Sequence, residues 1–221
     1  MSRLSTSVNA ILPTNGPSSQ TQPRQLLGYI SFKKKTGLLV MSNFQAKLER
    51  EHLDFGESTK RSDKTLAGFH GEGFKVAALV MLRNNYGMKF ESNSFYWNFG
   101  LRGRLGHELL YCSLIPKAPE TLLRAKERYE KSKNTPRSNR QLSSNIWEDT
   151  TVKIGLVNRR NAIHPDTFRQ WLTTTLDLQK FGEHEILHVQ TGDLILAKVC
   201  KGAIYLKGLK VGRSRSGPTG Y

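Results

Sequence analysis

An α/β (α+β) fold is predicted by three observations. Short alternating apolar segments recur from residue 27 onward. A glycine-rich run, Gly68-Phe69-His70-Gly71-Glu72-Gly73-Phe74-Lys75, leads into the helix-favouring segment Val76-Ala77-Ala78-Leu79-Val80-Met81-Leu82-Arg83. After residue 147, strand and helix patterns alternate again. With 221 residues, of which 37% are hydrophobic, the chain has material for one domain or a domain and a half, with some segments left outside the core.

Residues 1–26 are rich in Ser, Thr, Asn, Gln and Pro and read as a disordered tail; they lack the amphipathic Arg-rich helix of a mitochondrial presequence. Leu27-Gly28-Tyr29-Ile30-Ser31-Phe32 and Leu38-Leu39-Val40-Met41-Ser42 alternate as strands about the basic turn Lys33 to Gly37, so a hairpin is expected. A short helical stretch from Lys47 to Leu53 precedes a polar loop, Asp54 to Ser62. Asn84-Asn85-Tyr86-Gly87 supplies a C-cap for the helix over 76–83. Met88 to Ser92, Ser94 to Phe99 and Glu108 to Ile115 read as strands whose aromatics fill a sheet core.

Pro119 to Lys131 is a charged outer helix, and residues 132–145 form a basic, polar, mobile connection. Thr151 to Val157 is then a strand, and His164-Pro165-Asp166 opens a helix with Phe168, Trp171, Leu172 and Leu176 on one side. Glu185 to Gln190 and Asp193 to Ala197 flank Thr191-Gly192 as a hairpin, and Ala203 to Val211 is a final strand. The expected organisation is a tail over 1–26, a core over 27–116, a charged helix and connection over 117–146, an α/β continuation over 147–212 and a second disordered tail over 213–221. No internal repeat is evident.

The formal charge of +16 points to a polyanionic partner: nucleic acid, an acidic membrane surface or a phosphorylated ligand. No recognised nucleic-acid-binding motif accompanies the charge. No apolar run approaches the roughly 18–20 residues that cross a bilayer, so no transmembrane segment is expected. Cys112 and Cys200 stand in neither metal nor redox spacing and read as reduced, buried thiols of an intracellular protein, nuclear or cytoplasmic.

The glycine-rich run has the chemistry of an anion cradle. Glycines allow close backbone approach, a helix start offers N–H groups to negative charge, and Lys75 adds a mobile cation. His70 beside Glu72 is read as part of the loop around this site rather than as an acid–base pair. His164 and His188 show no partner carboxylate at a telling spacing.

With Phe55-Gly56-x-Ser58-x-Lys60 ahead of Gly68-x-x-Gly71-x-Gly73-Phe74-Lys75, the chain resembles the gyrase, histidine-kinase and MutL type (GHKL) ATPase domain. It is most similar to the branch with the microrchidia ATPases and fungal relatives. The resemblance runs from about Leu38 to Phe99, and Ala203-Ile204-Tyr205-Leu206-Lys207-Gly208 is similar to a further strand of that branch.

The resemblance implies a two-layer α/β sandwich of the GHKL (Bergerat) type with a mixed sheet, binding ATP and Mg²⁺. Gly68, Gly71, Gly73 and Phe74 would wrap the phosphates with Lys75 beside them, while Gly56, Ser58 and Lys60 would lead the lid. Asn43 stands where the family has an adenine-reading aspartate. The family's catalytic glutamate has no counterpart, because no acid precedes Glu49, and Asn9 is not assigned the metal role. The expectation is an ATP-binding domain without an identified catalytic or metal-ligating residue, either truncated upstream or degenerate; an upstream helix carrying the glutamate would make it an ATPase. The alternative is a basic nucleic-acid-binding or protein-interaction module on the same scaffold.

Overall fold

The computed structural model describes residues 6–8, 27–54, 73–104, 106–133, 143–155, 162–176, 178–179, 181–190, 192–206 and 208–214. They fall into two units, Met1–Ile163 and His164–Tyr221.

The first unit is built on β2 (Gly28–Lys33) and β3 (Leu38–Asn43), which form the expected hairpin. Gly37 closes its turn at φ 62°, and a Cβ there would sit 2.7 Å from Ile163 N. Ile163 itself donates its N–H to the Gly37 carbonyl at 2.9 Å, so the close approach requires glycine. The aromatic-rich segments form β4 (Met88–Ser92), β5 (Phe95–Arg102) and β6 (Leu109–Pro116). Asn93 and Ser94, at φ 49° and 65°, make the tight β4–β5 turn.

Three expectations are corrected here. Strand β7 (Thr150–Ile154), rich in β-branched residues, does not begin a separate α/β segment. With β1 at Thr6–Val8, it lies between β3 and β4 in a seven-stranded sheet of order β1-β2-β3-β7-β4-β5-β6. The core therefore does not end at residue 116. The sheet is also antiparallel at every described pairing rather than mixed. Its outer strand β1 (Thr6–Val8) pairs with β2 inside the stretch expected to be a disordered tail.

The register assigns the faces. Leu39, Ile154 and Met88 form one row, and Met41, Val152, Phe90, Trp97 and Leu114 the next, all on one face. Phe32, Leu39, Ile154, Met88, Phe90, Trp97 and Phe99 are buried on it. Helix α1 (Gly73–Arg83) covers this face through β4 and β5, with Phe74 edge-on to Phe90 and Phe99 and Ala78 fully buried. It ends as the asparagines predict. Asn85 takes φ 60°, its N–H reaches the Leu82 carbonyl, and the Tyr86 N–H reaches Met81.

Helix α2 (Pro119–Lys133) meets the segment before β7 by an edge-on contact of Tyr129 with Trp147. Asp149 is buried there and accepts from the N–H groups of Gln45 at 2.9 Å and Asn145 at 2.5 Å. Burial raises its carboxyl above the ordinary range, against the pull of those hydrogen bonds.

The second unit holds α3 (Pro165–Leu172), capped by His164 and opened by Pro165 as expected, and two hairpins. Strands β8 (Ile186–Val189) and β9 (Gly192–Ile195) pair across the predicted turn. The single final strand expected over 203–211 is corrected to a hairpin, β10 (Ala203–Leu206) with β11 (Leu209–Arg213). Gly208 at φ 76° is the physical reason, since the chain reverses there. Among the described residues no helix is long and apolar enough to cross a membrane.

Candidate nucleotide site at the start of α1

Helix α1 begins at Gly73, three residues ahead of the apolar run that predicts it. A helix start leaves N–H groups without intrahelical acceptors. Here the first turn has no acidic side chain, and Gly73 is exposed, with nothing among the described residues within 4 Å of where its Cβ would stand, its chain neighbours and own helix backbone apart. Gly73 lacks the positive φ that would demand glycine for conformational reasons.

The two neighbouring candidates are placed differently from one another. Phe74 turns its ring into the aromatic core, so only its backbone faces outward chemistry. Lys75 folds back over the chain, its ammonium donating to the Asp54 carbonyl at 2.7 Å and to that of Leu53 at 3.4 Å. These carbonyls end the 3-10 turn Arg50–Leu53, which replaces the longer helical stretch expected over 47–53 because Glu49 is extended at φ −101°, ψ 158°. Lys75 thus clasps the residue before segment 55–72 to the helix that follows it.

Asn43 is the exposed last residue of β3. Its pairing with Thr150 puts it on the same sheet face as Met41, Val152 and Phe90, the face that α1 covers. From Asn43 the chain crosses the sheet end under hydroxyl control. Thr150 donates its hydroxyl to the Ala46 carbonyl at 2.7 Å, and Ser92 Oγ accepts from the Leu48 N–H at 2.9 Å. Asn93 then donates to Glu49 Oε2 at 3.2 Å. This strap leads directly to the turn that Lys75 holds. Gly56, Ser58, Lys60, Gly68 and Gly71 lie outside the described residues, as do Asn9, His70 and Glu72.

Among the described residues no three His, Cys, Asp or Glu side chains come together to hold a metal ion, so no ligand set for Mg²⁺ is assigned. A cleft of about 280 Å³ is lined by Leu27, Phe44, Gln45, Tyr129, Asn145 and Asp149 among others, and by none of the candidate nucleotide residues that are described.

Two charged groupings escaped the sequence reading. His188 does have a carboxylate partner: its Nδ1 lies 2.6 Å from Asp193 Oδ1 across the β8–β9 hairpin, with both side chains exposed. His164 lies 3.4 Å from Asp166, also exposed. Cross-strand register and helix-start spacing are the signals that could have found them. The second grouping is a buried ion pair: Lys117 donates to Glu91 Oε2 at 2.8 Å, and Lys153 to Oε1 of the same carboxylate. Desolvation would raise the Glu91 carboxyl, but the hydrogen bonds and charges of the two lysines outweigh it and hold it below its ordinary 4.5.

Comparisons with protein-family models, with curated proteins and with solved structures found no match.

Proposed function

We propose that the first unit binds a nucleotide, with ATP the ligand implied by the GHKL resemblance, and holds its phosphates against the first turn of α1. The observation that carries this reading is the helix start itself. An 11-residue helix opens on an exposed glycine at the end of a glycine-rich run, with no acid in its first turn and the Lys75 ammonium beside it. Asn43, on the face that α1 covers, supplies a carbonyl acceptor for an exocyclic amine. The proposal ends at binding, because no general base is named.

Titration calorimetry with a non-hydrolysable ATP analogue tests it. Among the described residues, its chain neighbours and its own helix backbone apart, nothing lies within 4 Å of a Cβ at residue 73, so Gly73→Val occupies ligand space without a clash with them. We expect it to weaken binding about tenfold or more, about 1.4 kcal/mol. Lys75→Gln is expected to weaken binding comparably at low salt, while Lys34→Gln in the exposed β2–β3 turn leaves it unchanged. Equal, salt-sensitive binding by wild type and all three variants sinks the proposal.

A further inference from the structure

The sheet face opposite α1 carries a cationic cluster that the proposed nucleotide site does not use. Register places Lys89, Glu91, Tyr96 and Lys153 on that face, and Lys117, just beyond β6, brings its ammonium among them. The Lys117 side chain is 2% exposed, so its charge is held inside the protein rather than on its surface. The ammonium groups of Lys89 and Lys117 lie 3.7 Å and 4.4 Å from the centre of the Tyr96 ring.

Two ammonium groups therefore share one carboxylate, Lys117 on Oε2 and Lys153 on Oε1, so both of its oxygens are engaged, while the Lys89 ammonium rests with that of Lys117 over the Tyr96 ring. A buried charge needs one good partner; two further cations at the same place raise the cost of the arrangement rather than lower it. The Lys117 ammonium shows the strain in its proton affinity. Desolvation, with repulsion from Lys153 and Lys89, outweighs the pull of Glu91 and lowers its pKa. Lys89 and Lys153 are half-buried, so each keeps a side open to solvent. An oxyanion placed there would complete the pairing.

We propose that Lys89, Lys153 and Lys117 form an anion site that takes a backbone phosphate of a nucleic acid. A strand rather than a lone ion is favoured by the charge around it. The whole chain carries +16, and α2, starting two residues after Lys117, holds five lysines and arginines against three glutamates. That field extends past one phosphate, as a backbone tracked by successive cations requires.

The test is the fluorescence anisotropy of a labelled single-stranded oligonucleotide between about 50 and 200 mM salt. Lys89→Gln with Lys153→Gln is expected to weaken binding about tenfold at the lower salt and to flatten the log–log salt slope by about 1.4, two contacts at about 0.7 each. Lys34→Gln with Lys35→Gln removes the same charge from an exposed turn and is expected to stay within about twofold of wild type. Lys89→Arg with Lys153→Arg keeps the charge and is expected to bind as wild type. Lys89→Gln alone leaves both Glu91 ion pairs in place and keeps the test valid if the double variant does not fold; about a threefold loss is expected.

Equal losses in the two glutamine pairs overturn the site, as does absence of wild-type binding at the lowest salt. Displacement of the oligonucleotide by inorganic phosphate at matched ionic strength marks a free-phosphate site instead and overturns the nucleic-acid assignment. None of these outcomes depends on nucleotide binding at Gly73.

Discussion

A chain ended after residue 146 is expected to lose cooperative unfolding altogether, whereas one ended after residue 163 keeps it. Strand β7 supplies the ladders on both sides of the sheet's middle: Leu39 to Asn43 pair with it on one side and Met88 to Glu91 on the other. Without it the sheet divides into β1-β2-β3 and β4-β5-β6, and each half exposes a new edge. Ile154, buried between Leu39 and Met88, is lost with it, as are the hydroxyls of Thr150 and Thr151 that bond Ser92 and Ser42. Circular dichroism in urea reads the outcome. A cooperative transition from the chain ended at 146 contradicts the topology.

Glu91→Gln is expected to destabilise the first unit by about 3–5 kcal/mol, because it leaves the Lys117 ammonium buried without a carboxylate. Adding Lys117→Met to the same chain is expected to restore most of that loss, since the pair is then replaced by a neutral side chain and an apolar one of similar reach. The pH dependence follows from the direction of the Glu91 shift. Its carboxyl is held below 4.5 in the folded protein, so its stabilisation is fully present above 4.5 and is lost as pH falls through the folded value. Urea midpoints for wild type should fall across that acid window, and those of Glu91→Gln with Lys117→Met should fall less. A Glu91→Gln loss below about 1 kcal/mol contradicts the buried pair, since that is the scale of an exposed one.

The local parts of this fold were legible because local chemistry decides them. Alternation around Lys33 to Gly37 gives a hairpin, the Asn84–Asn85 pair gives the cap of α1, and Thr191-Gly192 gives the β8–β9 turn. The place of β7 was not legible. Its five residues pair with partners more than fifty positions away, and nothing in Thr150-Thr151-Val152-Lys153-Ile154 names those partners. The surroundings of the polar face of β4 were not legible for a related reason. Lys89 and Glu91 alternate with Met88 and Phe90, and nothing local shows that Lys117, just beyond β6, and Lys153 of β7 close Glu91 in.

The candidate site was legible in the same uneven way. The glycine run marks a helix start, and α1 begins within it at Gly73. The commitment of Phe74 to the core and of Lys75 to the Leu53 and Asp54 carbonyls depends on where the 3-10 turn and the sheet come to rest, which spacing in the chain does not specify.

The most direct test of the nucleotide proposal is the backbone amide spectrum during titration with a non-hydrolysable ATP analogue. The largest shifts are expected at Gly73, Phe74 and Lys75, saturating together with one affinity, with a smaller response at Asn43. Shifts confined to exposed lysine positions such as Lys34 and Lys35, scaling with salt and leaving the amides of 73–75 in place, would contradict it.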